Sequence, residues 1–188
     1  MARIILGSNS PRRKELLAAL DIDFTVDTGN NFEEGFKDGT PARDYPVLMA
    51  EGKSHGFHRP LAVDEILITA DTVVLCEGEI LGKPHSREGA VRMLRLLSGK
   101  RHEVLTAVTV RSASREETFT DSTIVEFKIL SEREISYYID KYRPYDKAGA
   151  YGIQEWIGYI GITRIEGSFY NVMGLPVLPL YERLQLYL

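Results

Sequence analysis

Asp71 interrupts "ILITADTVVL", a stretch otherwise made of residues that favour a buried strand. Aspartate is disfavoured in strands, and a carboxylate taken out of water without a partner is costly. Either Asp71 marks an exposed edge or turn, or the strand delivers it to the floor of a cleft. There it would act as a base, or as a ligand for a hard cation such as Mg²⁺, which takes oxygen donors. Glu33 and Glu34 stand in a polar, glycine-containing loop, Lys53 on the helix that follows, and Lys83 in "LGKP" after a hairpin. Singly, each reads as an ordinary solvated charge. Together with a basic turn near the start of the chain they form a set suited to a metal-bridged polyphosphate. Such chemistry needs the leaving group's charge neutralised and a metal-held water as nucleophile.

The basic turn is "LGSNSPRRKELL". Ser10 occupies an N-cap position, with Pro11 at the first helical turn. Arg12, Arg13 and Lys14 then crowd cations at the end of the helix whose free N–H groups are already positive. Each should cost about 0.3–1 kcal/mol there unless an anion sits at the turn. If the turn is tuned for an anion, removing either arginine should cost the free protein little.

The elements that must position these residues follow from pattern. Residues 3–7 read as a strand, 11–20 as a helix and 24–28 as a short strand. Residues 30–40 read as a loop, and Thr40-Pro41 as the opening of a helix to about residue 56. Residues 65–76 form a buried strand, turned at "EGE" (77–79) into "ILG". Ser86 opens a helix with apolar Ala90, Met93, Leu94 and Leu97, stopped by Gly99. Residues 102–112 and 117–129 alternate as antiparallel strands, and Ser131 with Glu134 forms a capping box. The tail is Gly-rich from 149 to 161, then strand "ITRIEG", then a Pro-punctuated segment closing as a helix. Hairpins mixed with alternating helices and strands point to an α/β protein with a mixed sheet.

Composition narrows the classes. The chain has 188 residues, 44% hydrophobic and 27% charged, with a net charge of −4, which suits one domain and argues against a nucleic-acid coat. The single cysteine, Cys76, excludes an intrachain disulfide and a cysteine-rich metal site. His55 and His58 lack a third ligand nearby and read as a solvated helix end. No apolar run approaches a membrane span, and Met1-Ala2-Arg3 leads straight into a strand, so a soluble cytoplasmic protein is expected. Walker, zinc and dinucleotide fingerprints are absent, and no nucleophile elbow supports a serine hydrolase.

Five segments, "SNSPRRKELL", "ADTVV", "GKP", "DKAGAYGIQ" and "GSFYNVMGLP", occur in an order that resembles the Maf family of nucleotide pyrophosphatases, over nearly the whole chain. The resemblance implies an elongated α/β protein, a mixed twisted sheet flanked by helices around a deep central cleft, similar to the inosine-triphosphate pyrophosphatase fold. It implies a single domain over 1–188, in two lobes. The implied reaction is hydrolysis of nucleoside triphosphates to monophosphate and pyrophosphate with a divalent metal, Mg or Mn. It places the proton acceptor at Asp71, and the base-selecting positions at Arg12, Thr72 and Gln154. The metal-side acid falls on Glu34, with Glu33 next to it, and the cleft lysines are Lys53 and Lys83. Ser8, Ser10 and Arg13 belong to the phosphate-side turn. "YGIQ" resembles the branch that prefers dTTP and UTP, while Glu155 and Trp156 depart from the pattern of many relatives. A homodimer is implied as well. The rival expectation is a nucleotide-sensing regulator of cell division without turnover.

Overall fold

The computed structural model describes residues 2–35 and 39–187. Residues 36–38 of the expected 30–40 loop therefore lie outside the described residues. Seven strands form a mixed sheet in the order β2-β1-β3-β5-β6-β7, with β4 paired to β3. In chain order the strands are β1 (Arg3–Leu6), β2 (Phe24–Val26), β3 (Glu65–Cys76), β4 (Glu79–Leu81), β5 (Arg101–Arg111), β6 (Glu116–Phe127) and β7 (Ile162–Glu166). The helices are α1 (Pro11–Ala18), α2 (Tyr45–His55), α3 (Arg87–Leu97), α4 (Glu132–Tyr142), α5 (Trp156–Gly161), α6 (Phe169–Met173) and α7 (Val177–Leu184). The mixed α/β class expected from the pattern is the one found.

The chain divides into two compact units, one of Met1–Asp71, Thr106–Asp121 and Gly174–Leu188, the other of Thr72–Leu105 and Ser122–Met173. In the first, β1 runs parallel to both β2 and the opening half of β3, with Ile5 opposite Leu67. Ile5, Leu67 and Phe57 pack together, with Leu61 against them. Parallel strands covered on both faces must be apolar throughout, which is why "RIIL" and "ILITA" show no alternation. The buried Thr69 hydroxyl donates to Ala50 O at 2.7 Å and so ties β3 to α2.

In the second unit the pairs are antiparallel, β3 with β4 and β6 with β7. The β3–β4 turn places Glu77 and Gly78 at φ 51° and 82°, the positive values that a two-residue hairpin turn requires. Helix α3 buries Ala90, Met93, Leu94 and Leu97, and α4 buries Ile135, Tyr138 and Ile139. Arg87 and Arg95 of α3 reach Asp140 and Glu132 of α4. The capping box is formed on both sides: Ser131 Oγ accepts from Glu134 N–H, and the Glu134 carboxylate accepts from Ser131 N–H. Within "GSFYNVMGLP", Phe169 and Tyr170 are exposed, while fully buried Asn171 of α6 donates to Val104 O and Thr123 Oγ1 at 3.1 Å.

Two local expectations are corrected. Helix α2 begins at Tyr45 with Asp44 as its N-cap, because Pro41–Asp44 closes as a separate turn and Pro46 takes the first-turn position. The stretch 149–161 holds a 3₁₀ turn at Ala148–Ala150 and helix α5, which its glycine content disguised. Gly158 is required there for close approach: a Cβ on it would lie 1.8 Å from Ile153 O.

Candidate active site

Three elements of the first unit converge on Asp71. It stands on β3, where the burial pattern opens from fully buried to half-buried. Helix α2 is held on β3 by the Thr69 bond, and from its last turn Lys53 Nζ reaches Asp71 Oδ1 at 2.7 Å. The side chains are only 17% and 15% exposed, so the pair is shielded from solvent. Desolvation offsets most of the attraction in such a pair, which makes it poor evidence for added stability and better evidence for preorganised charge.

The third element is the loop carrying Glu34. Asn31 N–H donates to Gly56 O at 2.8 Å, and Phe32 N–H to Asn30 Oδ1 at 2.7 Å. The Phe32 ring lies on Gly52, where a Cβ would come within 2.3 Å of its Cζ. Glycine at that helical position lets the loop lie directly on α2. Glu34 Oε1 then stands 3.1 Å from Lys53 Nζ. Between the two adjacent acids the lysine takes Glu34.

The electrostatics follow from this packing. Burial raises the Asp71 carboxyl above its usual range, Lys53 and Arg13 pull it back, and Glu34 adds to the rise. Burial, followed by the Asp71 and Glu34 carboxylates, also raises the Tyr45 hydroxyl. Tyr45 is the member of this cluster that sequence reasoning missed. Its signal was its place about two turns before Lys53 on one side of the same helix.

Ser8, Ser10 and Arg13 gather at the β1–α1 turn. Ser10 Oγ caps α1 by accepting from Arg13 N–H, and Ser10 N–H donates to Ser8 Oγ at 3.2 Å. Arg13 is no solvated cation. Its Nε donates to Gly174 O at 2.8 Å and Nη1 lies 3.5 Å from Ser8 Oγ. Burial lowers its pKa, opposed by the Asp71 carboxylate. Its removal is therefore expected to cost the fold, where the helix-dipole argument alone expects little cost. Arg13→Ala strips Gly174 O of its donor, worth about 1–3 kcal/mol. The melting temperature should fall by at least about 2 °C, with KM for substrate raised in the same variant. Calorimetry beside kinetics checks both, and an unchanged melting temperature would contradict the structural half. Arg12 is half-buried on the first turn of α1.

Thr72, Lys83 and Gln154 belong to the second unit. Thr72 follows Asp71 on β3 and is half-buried, while Lys83 is exposed on the segment after β4. Gln154 is half-buried, yet its Oε1 is fully buried with no hydrogen-bond partner among the described residues. An unpaired buried acceptor costs about 1–3 kcal/mol. The other such atoms, on His102 and Asn171, belong to core residues 3% and 0% exposed. Gln154 is the one of the three whose residue is only half-buried. The two histidines of the α2 end meet separate carboxylates, His55 that of Glu116 and His58 that of Asp27.

For a divalent cation the donor set fits in kind. Asp71 and Glu34 are both oxygen donors turned toward one positive group, and each has a second oxygen beyond the one Lys53 approaches. Among the described residues no group of three or more His, Cys, Asp or Glu could hold a metal. Among the described residues, Asp71 and Glu34 are the carboxylates that both reach Lys53. Mg²⁺ is commonly bound by such a carboxylate pair, with phosphate and water completing its shell.

A family model described as "Maf-like protein" matches residues 3–187. The chain belongs to the Maf family. Among its relatives, a protein of Bacteroides thetaiotaomicron named "dTTP/UTP pyrophosphatase" is 50% identical over 183 residues, covering 97% of this chain and 95% of that one. A Porphyromonas gingivalis protein of the same name is 51% identical over 185 residues, covering 97% and 93%. Among solved structures, a HAM1 protein from Coxiella burnetii aligns with a TM-score of 0.42 at 13% identity, over 68% of this chain and 73% of that one. Among the described residues no helix is long and apolar enough to cross a membrane.

Proposed function

We propose that this chain hydrolyses nucleoside triphosphates, with dTTP and UTP preferred, to the monophosphate and pyrophosphate, a house-cleaning role. The observation that carries the reading is the half-buried Asp71, held by Lys53 beside Glu34. Relatives about half identical along nearly their full length and named dTTP/UTP pyrophosphatase support it. Water attacks the α-phosphorus while Asp71 accepts its proton. The bond from the α-phosphorus to the bridging oxygen breaks, and pyrophosphate leaves with the electron pair. A carboxylate suits this role when burial has raised its pKa, because its basic form then binds a proton more strongly.

The β1–α1 turn offers serine hydroxyls, the amide donors of a helix start and two guanidiniums, a combination matched to phosphate oxygens. In this reading Ser8, Ser10 and Arg13 bind phosphate, and Lys53 and Lys83 offset the charge that develops on the leaving pyrophosphate. Arg12, Thr72 and Gln154 select the base. Uracil and thymine carry an N3–H beside carbonyl acceptors, and a glutamine amide can meet both with paired hydrogen bonds. Asp71 and Glu34 would hold Mg²⁺ or Mn²⁺. When bound, such an ion supplies Lewis-acid stabilisation of phosphate charge and lowers the pKa of water.

The test is hydrolysis by the purified chain with Mg²⁺ across UTP, dTTP, CTP, GTP and ATP, followed as pyrophosphate and monophosphate. The reading expects release from UTP and dTTP above the rest. Tight nucleotide binding without pyrophosphate release would identify a sensor instead, and equal rates on all five would leave the reaction without the preference.

A further inference from the structure

A second cluster of buried charge surrounds Gln154, and the proposed reaction chemistry makes no use of it. The hydroxyl of fully buried Tyr138, from α4, donates to Glu155 Oε2 and accepts from Gly152 N–H at 2.9 Å. The other carboxylate oxygen, Glu155 Oε1, stands 3.3 Å from Nζ of buried Lys147, which also reaches Asp146 Oδ1 at 2.9 Å. Glu155 N–H donates to Gly152 O at 3.0 Å, closing a turn whose two ends Tyr138 grips at once. Gln154 lies inside that turn.

The position of the Glu155 carboxyl then matters for the amide beside it. A Cβ on Gly152 would lie 3.0 Å from Glu155 Cδ and 3.2 Å from Gln154 Nε2. The carboxylate and the amide nitrogen thus both border the space over the α-carbon of Gly152. An anion favours the N–H₂ end of a neighbouring amide and repels its oxygen. The amide oxygen is the atom left buried without a hydrogen-bond partner among the described residues. Burial, reinforced by Glu155, raises the Tyr138 pKa, so the hydroxyl remains a donor across the working pH range.

We propose that Glu155, fixed in place by Tyr138 and Lys147, is a positioning residue that sets the polarity of the Gln154 amide so that its oxygen is offered to a ligand N–H donor. Resting on the function proposed above, this makes the cluster the element that separates uracil and thymine from cytosine. Cytosine presents an unprotonated N3 beside an amino group, and only a reversed amide would match it. With the polarity fixed, reversal would bring the amide oxygen to the side of the Glu155 carboxylate, and cytosine N3 would face an acceptor instead of a donor.

The experiment compares kcat and KM for UTP, dTTP and CTP in the wild type, Glu155→Gln and Tyr138→Phe, with melting temperatures alongside. Glu155→Gln removes the charge while its amide oxygen can still accept from Tyr138, so it keeps the turn. The expected result is a fall in the UTP-to-CTP ratio of kcat/KM by about 10-fold or more in Glu155→Gln, with UTP hydrolysis still measurable and most of the loss in KM. Tyr138→Phe should lose discrimination as well, with a lower melting temperature. An unchanged ratio in Glu155→Gln would overturn the proposal, as would melting temperatures that fall while both ratios hold. Failure of the underlying reading looks different: the wild type itself would not release pyrophosphate from UTP or dTTP.

Discussion

Asp71→Asn should lower kcat for UTP by about 10²–10⁴-fold, the range that loss of a general base commonly brings. The substitution is isosteric, and the amide oxygen can still accept from Lys53, so the fold and the grip on α2 persist. What disappears is the basic lone pair and one negative charge beside Glu34. The pH dependence gives the assignment a second handle. The active form is the carboxylate, and burial holds its pKa above the ordinary 3.8. The acid limb of kcat/KM should therefore lie above that value, with the rate rising as Asp71 loses its proton. The same raised pKa means that the folded chain binds this proton more tightly than the unfolded one. Asp71's own share of stability thus declines as pH rises through the window above 3.8. Near-normal turnover by a folded Asp71→Asn enzyme would sink the assignment.

Gln154→Glu should cut kcat/KM for UTP and dTTP by at least about 10²-fold, toward the ~10⁴ seen when a site's polar groups are left wrongly paired. A glutamate can still accept from the base N3–H, but it has no N–H to give the neighbouring carbonyl, which then faces an anion. It would also set a second carboxylate beside the space over the α-carbon of Gly152 that the Glu155 carboxylate borders. The deficit should be larger for UTP and dTTP than for CTP, whose amino group can donate to a carboxylate. Steady-state kinetics on the three nucleotides decide it. A uniform loss on all three would place Gln154 outside base selection.

How much of this was legible depended on range. Capping chemistry is local, so Ser10, Ser86 and the Ser131–Glu134 box announced their helices correctly. The apolar runs of β1 and β3 also declared themselves, because burial on both faces leaves little room for polar residues. Asp71 stood out for the same reason, as a charge inside such a run. The Lys53–Asp71–Glu34 convergence needs three segments brought together by the Thr69 bond and the Phe32–Gly52 contact, and no local pattern encodes either. The partner of Arg13 was not legible because the dipole argument treats a helix start as solvated, whereas Gly174 O arrives from the far end of the chain to accept from it. Helix α5 was missed because glycine is a poor helix former, and only the crowding at Ile153 O reveals why one is needed. The Tyr138–Glu155–Lys147 cluster lies within a short span of sequence. Its signal was a tyrosine on the apolar face of α4, which reads equally well as ordinary core.

The central claim is that water attacks the α-phosphorus and pyrophosphate leaves. Hydrolysis of UTP in water enriched in heavy oxygen tests it most directly, with both products analysed by mass. The account predicts one labelled oxygen in UMP and none in the pyrophosphate. Label in the pyrophosphate, or release of inorganic phosphate with UDP, would contradict it.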